Sequence, residues 1–249
     1  MASGAKYDAI GRTYTRTRIP DPRIAARITA KLGDARTVLN VGAGTGSYEP
    51  VDRAVVAVEP SATMLAQRPR GAAPAARAVA EALPFATATF DAAMATLTLH
   101  HWNDLEQGVA EMRRVATRQV VLFFEPSCSD DFWLYADYFP ESGEVPSERA
   151  PGARRLAALF DVRSIESVPV PADCTDGFGA AYWNRPEAYL DPDVQAGISS
   201  FAQLDDATRT ENTERLRCDL ASGAWDTRYG YLRTLAEYDG GYRLLVAGS

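Results

Sequence analysis

Residues 38–50 read VLNVGAGTGSYEP, a short β-branched and apolar run that stops at Gly42 and is followed by further glycines at 44 and 46. The run has the profile of a strand buried on both faces. Glycines there permit a tight turn and let the backbone approach a ligand, and a helix starting after them would present free N–H groups. The spacing is G-x-G-x-G rather than the G-x-G-x-x-G of a dinucleotide fingerprint, which leans away from a nicotinamide cofactor. A second buried run, AVVAV at 54–58, ends at Glu59, 17 positions after Gly42. Taken alone, an acidic residue at a strand end is an ordinary solvated group. Paired with the glycine loop, it stands where a carboxylate accepts both hydroxyls of a ribose lying across the carboxyl edge of a sheet. The dozen or so residues between the two strands are close to the minimum for a parallel crossover, so any helix there is a turn or two long.

Outward from this pair, the stretch PDPRIAARITAKLGD puts Ile24, Ile28 and Leu32 on one helical face, with Gly33 placed as terminator. Downstream, strands are expected over 76–79, 90–99 and 119–124, separated by helices over 61–67 and 104–116. Strands alternating with helices imply a doubly wound α/β unit, a parallel sheet covered on both faces and wound right-handed. After residue 125 the texture changes. An aromatic run, FWLYADYF at 132–139, precedes a turn-rich stretch, a helix over 154–160, a strand in VRSIESVPV and a long segment from 171. That segment is too long for a bare connection and is expected to form a helical insertion over the sheet. YRLLVAGS closes the chain as a candidate last strand.

The 249 residues suit one sizeable domain, and 46% hydrophobic with 24% charged residues exclude global disorder. A net charge of −7 argues against nucleic-acid and anionic-membrane partners. No long apolar run and no signal-peptide pattern is visible, so a cytoplasmic location is expected. Three widely spaced cysteines, 128, 174 and 218, with only two histidines, argue against a disulfide framework or a zinc cluster and read as buried free thiols. No metal site is expected.

Five motifs in register, VLNVGAGTG, VVAVEPSATML, AEALPF, FDAAMATLTLHHW and EMRRV, resemble the class I S-adenosylmethionine-dependent methyltransferases of the ubiquinone/menaquinone-biosynthesis type over residues 35–125. The resemblance implies a seven-stranded, mostly parallel, Rossmann-like sheet with an antiparallel last strand and S-adenosylmethionine as methyl donor, leaving S-adenosylhomocysteine. It also implies that Gly42, Ala43 and Gly44 cradle the methionine part, that Glu59 binds the ribose beside Pro60, and that Met64 packs on the adenine. Ala80 and Glu81 would lie at the adenine edge, with Thr96 and Leu97 completing the wall. Three positions depart from the family pattern. Asn40 replaces the usual first-strand Asp, Val79 replaces an Asp that meets the adenine amine, and the Pro-Gly-Gly turn after Val115 is missing.

In similar enzymes the N-terminal segment, here residues 1–19, folds over the cofactor as a lid. Tyr14 or Arg18 would then reach the donor's carboxylate; the alternative is a frayed terminus with solvated arginines. Methyl transfer from a sulfonium asks mainly for positioning. A base matters only for an acceptor that holds its proton tightly, and His101, then His100, then Glu125 are the candidates. The histidine pair also reads as a packing and helix-entry motif. The aromatic residues of 126–148 and 171–225 read either as walls of an acceptor pocket or as core. The expected function is methylation of an O, N or C atom of a small, partly hydrophobic metabolite by a monomer or homodimer. The alternative is a protein that binds the same nucleoside without methylating.

Overall fold

The computed structural model describes residues 18–143 and 150–249. Seven strands form one sheet in the order β3-β2-β1-β4-β5-β9-β6. They are β1 (Thr37–Val41), β2 (Ala54–Val58), β3 (Ala75–Ala76), β4 (Phe90–Thr96), β5 (Ala116–Phe124), β6 (Val162–Ser167) and β9 (Tyr242–Gly248). The pairs among β1 to β5 are parallel, while β9 inserts antiparallel between β5 and β6. A separate two-stranded ribbon pairs β7 (Val170–Pro171) with β8 (Glu237–Tyr238). The seven-stranded doubly wound sheet expected from the sequence is present, with the antiparallel strand supplied by YRLLVAG.

Alternation along the strands sends successive side chains to opposite faces. Val38, Val55, Met94, Val120 and Leu122 share one face with Ile24 and Ile28 of α1 (Pro22–Lys31), which starts at Asp21, whose side chain accepts the Arg23 amide. Leu39, Val41, Val58, Ala95 and Val121 share the other with α3 (Leu105–Val115) and with Leu156 of α5 (Ala153–Leu159). The short α2 (Ala62–Ala66), capped by Ser61, connects β2 to β3.

The connection from β1 to β2 contains no helix, contrary to the expected turn or two. Gly44, Gly46 and Tyr48 all have positive φ, at 53°, 99° and 64°, and Pro50 follows. Left-handed residues at alternate positions cannot propagate a right-handed helix, and the chain crosses as a series of turns. The expected strand over 90–99 stops at Thr96 because Leu97 takes φ 51°, after which Leu99–His101 form a 3₁₀ turn.

The C-terminal insertions make an aromatic block on the α1 side of the sheet. Its helical parts are α4 (Pro140–Gly143), α6 (Pro192–Gly197), α7 (Asp206–Ser222) and α8 (Ala224–Tyr229). Phe132, Trp133, Tyr138, Phe139, Trp183 and Tyr189 are buried within it as core, one of the two readings open from sequence. The indole N–H of Trp133 donates to the Trp183 carbonyl at 2.9 Å, and that of Trp183 to the Val170 carbonyl at 3.0 Å, so the rings are buried with their polar ends satisfied. Of the three cysteines only Cys174 is buried; Cys128 is half-buried and Cys218 exposed.

Candidate active site

Two cavities meet at the carboxyl ends of β1, β2 and β4. The larger, about 580 Å³, is walled by the glycine loop, the end of β2, the 77–81 loop and residues 96–98. The smaller, about 180 Å³, opens beside it under the aromatic block. Arg18, Leu97, Thr98 and His101 belong to both walls.

Of the expected cofactor contacts, Asn40, Gly42, Ala43, Gly44, Glu59, Pro60, Met64, Ala80, Glu81, Thr96 and Leu97 all line the larger cavity. Tyr14 lies outside the described residues. The loop works through space rather than through free amides. Gly42 and Ala43 both donate to the Val58 carbonyl, and Gly46 donates to Ala43. A Cβ on Gly42 would stand 2.2 Å from Thr98 Oγ1. The open helix terminus expected after the glycines is therefore replaced by a self-bonded turn whose glycines make room.

Glu59 is buried at 6% exposure. Its Oε2 accepts the Gly44 amide at 2.9 Å and its Oε1 the Ser61 amide at 2.8 Å. A carboxylate has about four acceptor positions, so each oxygen keeps one for a ligand. Burial pushes the Glu59 pKa up, against the pull of the two amides and of the Arg68 charge. Across the cavity, Asn40 gives its Nδ2 to Glu49 at 3.1 Å, and Glu49 pairs with Arg68 at 2.8 Å. The Asn40 amide is thereby turned so that Oδ1 meets no protein donor among the described residues. Glu81 Oε1 takes the amides of Asn103 and Asp104 at 2.6 and 3.1 Å, tying the 77–81 loop to the start of α3.

These groups suit an adenosyl amino acid. A buried carboxylate with two vacant acceptor positions matches a vicinal diol, and an oriented amide oxygen matches an ammonium. Met64 stands on the same wall and packs close to Gly44, where a Cβ would lie 3.2 Å from its Cε, so its thioether can face a flat ring from one side only.

The histidines separate. His100 lines only the smaller cavity and His101 lines both, with their rings 3.7 Å apart. Burial, helped by the Arg18 charge, pushes the His100 pKa down to about 4. Glu125 faces neither cavity. Its Oε1 accepts from the backbone and hydroxyl of Ser127, and its Oε2 accepts the Ala153 amide at 2.7 Å. A carboxylate at the end of β5 looked like a base from sequence, but it caps two helical turns instead.

Sequence reasoning missed a buried triad. Arg18 pairs with Asp176 at 2.6 Å, and the Tyr48 hydroxyl donates to Asp176 Oδ2 at 2.7 Å. Side-chain exposures of 9% for Arg18 and 1% for Asp176 mark it as an interior pair. It joins the start of the described chain, the glycine connection and the C-terminal insertion, through residues 128 positions or more apart, so no local pattern announced it.

The methyltransferase-domain family matches residues 39–124. A protein of Anabaena variabilis described as a methyltransferase from an antibiotic biosynthesis pathway is 33% identical, over 94% of this chain and 99% of that one, with a TM-score of 0.86. The chain belongs to the class I S-adenosylmethionine-dependent methyltransferases and is an enzyme with S-adenosylmethionine as its cofactor. Two more distant structures share the fold. The cyclase SpnF has a TM-score of 0.58 at 16% identity, covering 100% of this chain and 97% of that one. The geranyl diphosphate C-methyltransferase of Streptomyces coelicolor, solved with geranyl diphosphate and S-adenosyl-L-homocysteine, has a TM-score of 0.51 at 16% identity, covering 90% and 78%. None of the curated proteins matches the chain. Among the described residues, no helix is long and apolar enough to cross a membrane, and no group of three or more His, Cys, Asp and Glu side chains is placed to hold a metal ion.

Proposed function

We propose that the larger cavity holds S-adenosylmethionine and the smaller one a small, partly hydrophobic acceptor in secondary metabolism. The observation that carries this reading is the shared wall. Leu97, Thr98 and His101 belong to both cavities, so donor and acceptor would meet across one strand end. The pathway of the Anabaena relative supports a biosynthetic acceptor, and the register of the five motifs supports kinship with the ubiquinone- and menaquinone-biosynthesis type.

Glu59 receives the ribose hydroxyls, Asn40 Oδ1 the ammonium, and Met64 with Ala80 the adenine faces. Bound there, S-adenosylmethionine supplies an electrophilic methyl on a sulfonium. The protein's contribution is to hold the acceptor in line with it and to exclude water, since effective molarity can supply about 7 kcal/mol or more of barrier reduction. His101 takes the acceptor's proton where one must leave. Burial disfavours protonation of His100, which instead packs against His101.

Two measurements test the assignment: calorimetric titration with S-adenosylhomocysteine, and transfer of labelled methyl to a panel of small acceptors. Micromolar binding with turnover supports it. No heat with either form of the nucleoside overturns it.

A further inference from the structure

The smaller cavity has a composition that narrows its occupant, and the argument rests on its assignment to the acceptor. Four of the rings on its wall form a connected set. Phe124 stands edge-on to Tyr135 at 6.3 Å and to Tyr242 at 5.6 Å, and Phe178 lies 4.5 Å from Tyr242. Tyr135 projects from a single π turn, Leu134–Tyr138, a distortion enriched at functional sites. A box of ring edges and faces accommodates another ring by offset or edge-to-face contact.

Charge then selects among ring compounds. No carboxylate stands on the cavity wall among the described residues. The fixed cation, Arg18, is paired with Asp176, and its field is what adds to the depression of the His100 pKa. Burial holds the phenols of Tyr135 and Tyr242 protonated. Ring faces attract cations, but the Arg18 charge that disfavours a protonated His100 on the same wall also opposes a bound ammonium. A carboxylate entering it would lose its hydration and find its one cation already engaged. The space suffices for one ring: an apolar cavity of about 150 Å³ is enough for benzene, and this one measures about 180 Å³. Polar side chains also stand on the wall, among them Thr98, Ser199 and Ser200.

We infer that the acceptor is an uncharged, single-ring aromatic compound bearing a hydroxyl or amino group, held among Phe124, Tyr135, Phe178 and Tyr242.

The test is a binding panel on the full chain saturated with S-adenosylhomocysteine, using catechol, aniline, benzoate, phenyltrimethylammonium and cyclohexanol, read by calorimetry. Catechol or aniline should bind at least tenfold more tightly than the two ions and than cyclohexanol. Equal or tighter binding of either ion, or of the saturated ring, overturns the inference, as does failure of the whole panel on protein that binds S-adenosylhomocysteine. Failure of S-adenosylhomocysteine itself to bind would instead remove the assignment on which the inference rests. In a second arm, Ile198→Trp fills the cavity. Aromatic binding should drop at least tenfold while S-adenosylhomocysteine binds within twofold of the parent, a readout that also reports folding. Unchanged aromatic binding in that variant places the ring elsewhere and overturns the proposal.

Discussion

Glu59 and Gly44 are joined by a 2.9 Å hydrogen bond from the Gly44 amide to Oε2 of the buried carboxylate, so the end of β2 fixes the turn that follows β1. The carboxylate thus shapes the loop as well as facing the cavity. Hydrogen bonds to charged groups contribute about 1.5–3 kcal/mol each. Replacing Glu59 by Ala should weaken S-adenosylhomocysteine binding by about 100-fold, and Glu59→Gln by roughly tenfold, measured by calorimetry. Binding within twofold in Glu59→Ala would refute the ribose assignment.

The pH dependence of that binding has a definite sign. Burial raises the Glu59 pKa, so the carboxylate takes up a proton at a higher pH than an exposed glutamate does. Protonation removes acceptor positions, and nucleoside affinity should decline on acidification before ordinary carboxylates titrate. For folding, the raised value means that this group's contribution is greatest when protonated and is lost as pH rises through the folded pKa. Glu59→Gln should flatten the affinity profile; an unchanged profile would assign the titration to another group.

Gly42→Ala tests the claim that the loop makes room. Its φ of 70° and a Cβ 2.2 Å from Thr98 Oγ1 combine backbone strain with overlap. A loss of about 2 kcal/mol is expected, a fall in Tm of roughly 5 °C for a chain of this size, together with loss of nucleoside binding. Differential scanning calorimetry reads the first and titration the second; a variant with parental Tm and affinity would contradict the geometry.

Breaking the interior ion pair should be costly. Asp176→Ala leaves Arg18 buried without its carboxylate and Tyr48 without its acceptor, and about 3 kcal/mol of stability should disappear in urea unfolding. Tyr48→Phe removes only one hydrogen bond and should cost about 1 kcal/mol. Equal losses in the two variants would show that the charge pair contributes nothing beyond the phenol.

His100 titrates near 4 in the folded protein against an ordinary 6.5. A depressed histidine pKa means that the unfolded chain binds the proton more readily, so stability falls as pH drops from about 6.5 towards 4. His100→Asn should lessen that acid sensitivity in thermal melts across the window. In the pH–rate profile of kcat, an acid-side inflection that survives in His100→Asn and vanishes in His101→Asn would match His101 as the base; one lost with His100 would reverse the assignment.

The parallel half of the sheet was legible because its signals are local: VLNVG and AVVAVE each combine a buried strand with the residue that ends it. The larger cavity was legible for the same reason, since Gly42, Gly44, Glu59 and Met64 sit at fixed offsets just after two adjacent strands. What escaped were consequences of distance. Asp176 meets Arg18 and Tyr48 from another part of the chain, and nothing in DGFG marks it. Glu125 was misread because position at a strand end does not say which way a carboxylate turns. The helix expected after the glycines fails at Tyr48, whose positive φ no propensity anticipates. The aromatic runs divided by tertiary context, with Trp133 and Trp183 going to core and Tyr135 and Phe178 to a cavity wall.

The self-bonded glycine turn also says what this enzyme turns away. Gly42 and Ala43 are tied to Val58, Gly44 to Glu59 and Gly46 to Ala43, so four amides that might have greeted a pyrophosphate are already spent. A pyrophosphate arriving at this edge would find those four donors occupied. Selection between two adenosine-bearing metabolites would then begin in main-chain bonding, ahead of any contact with the adenine they have in common.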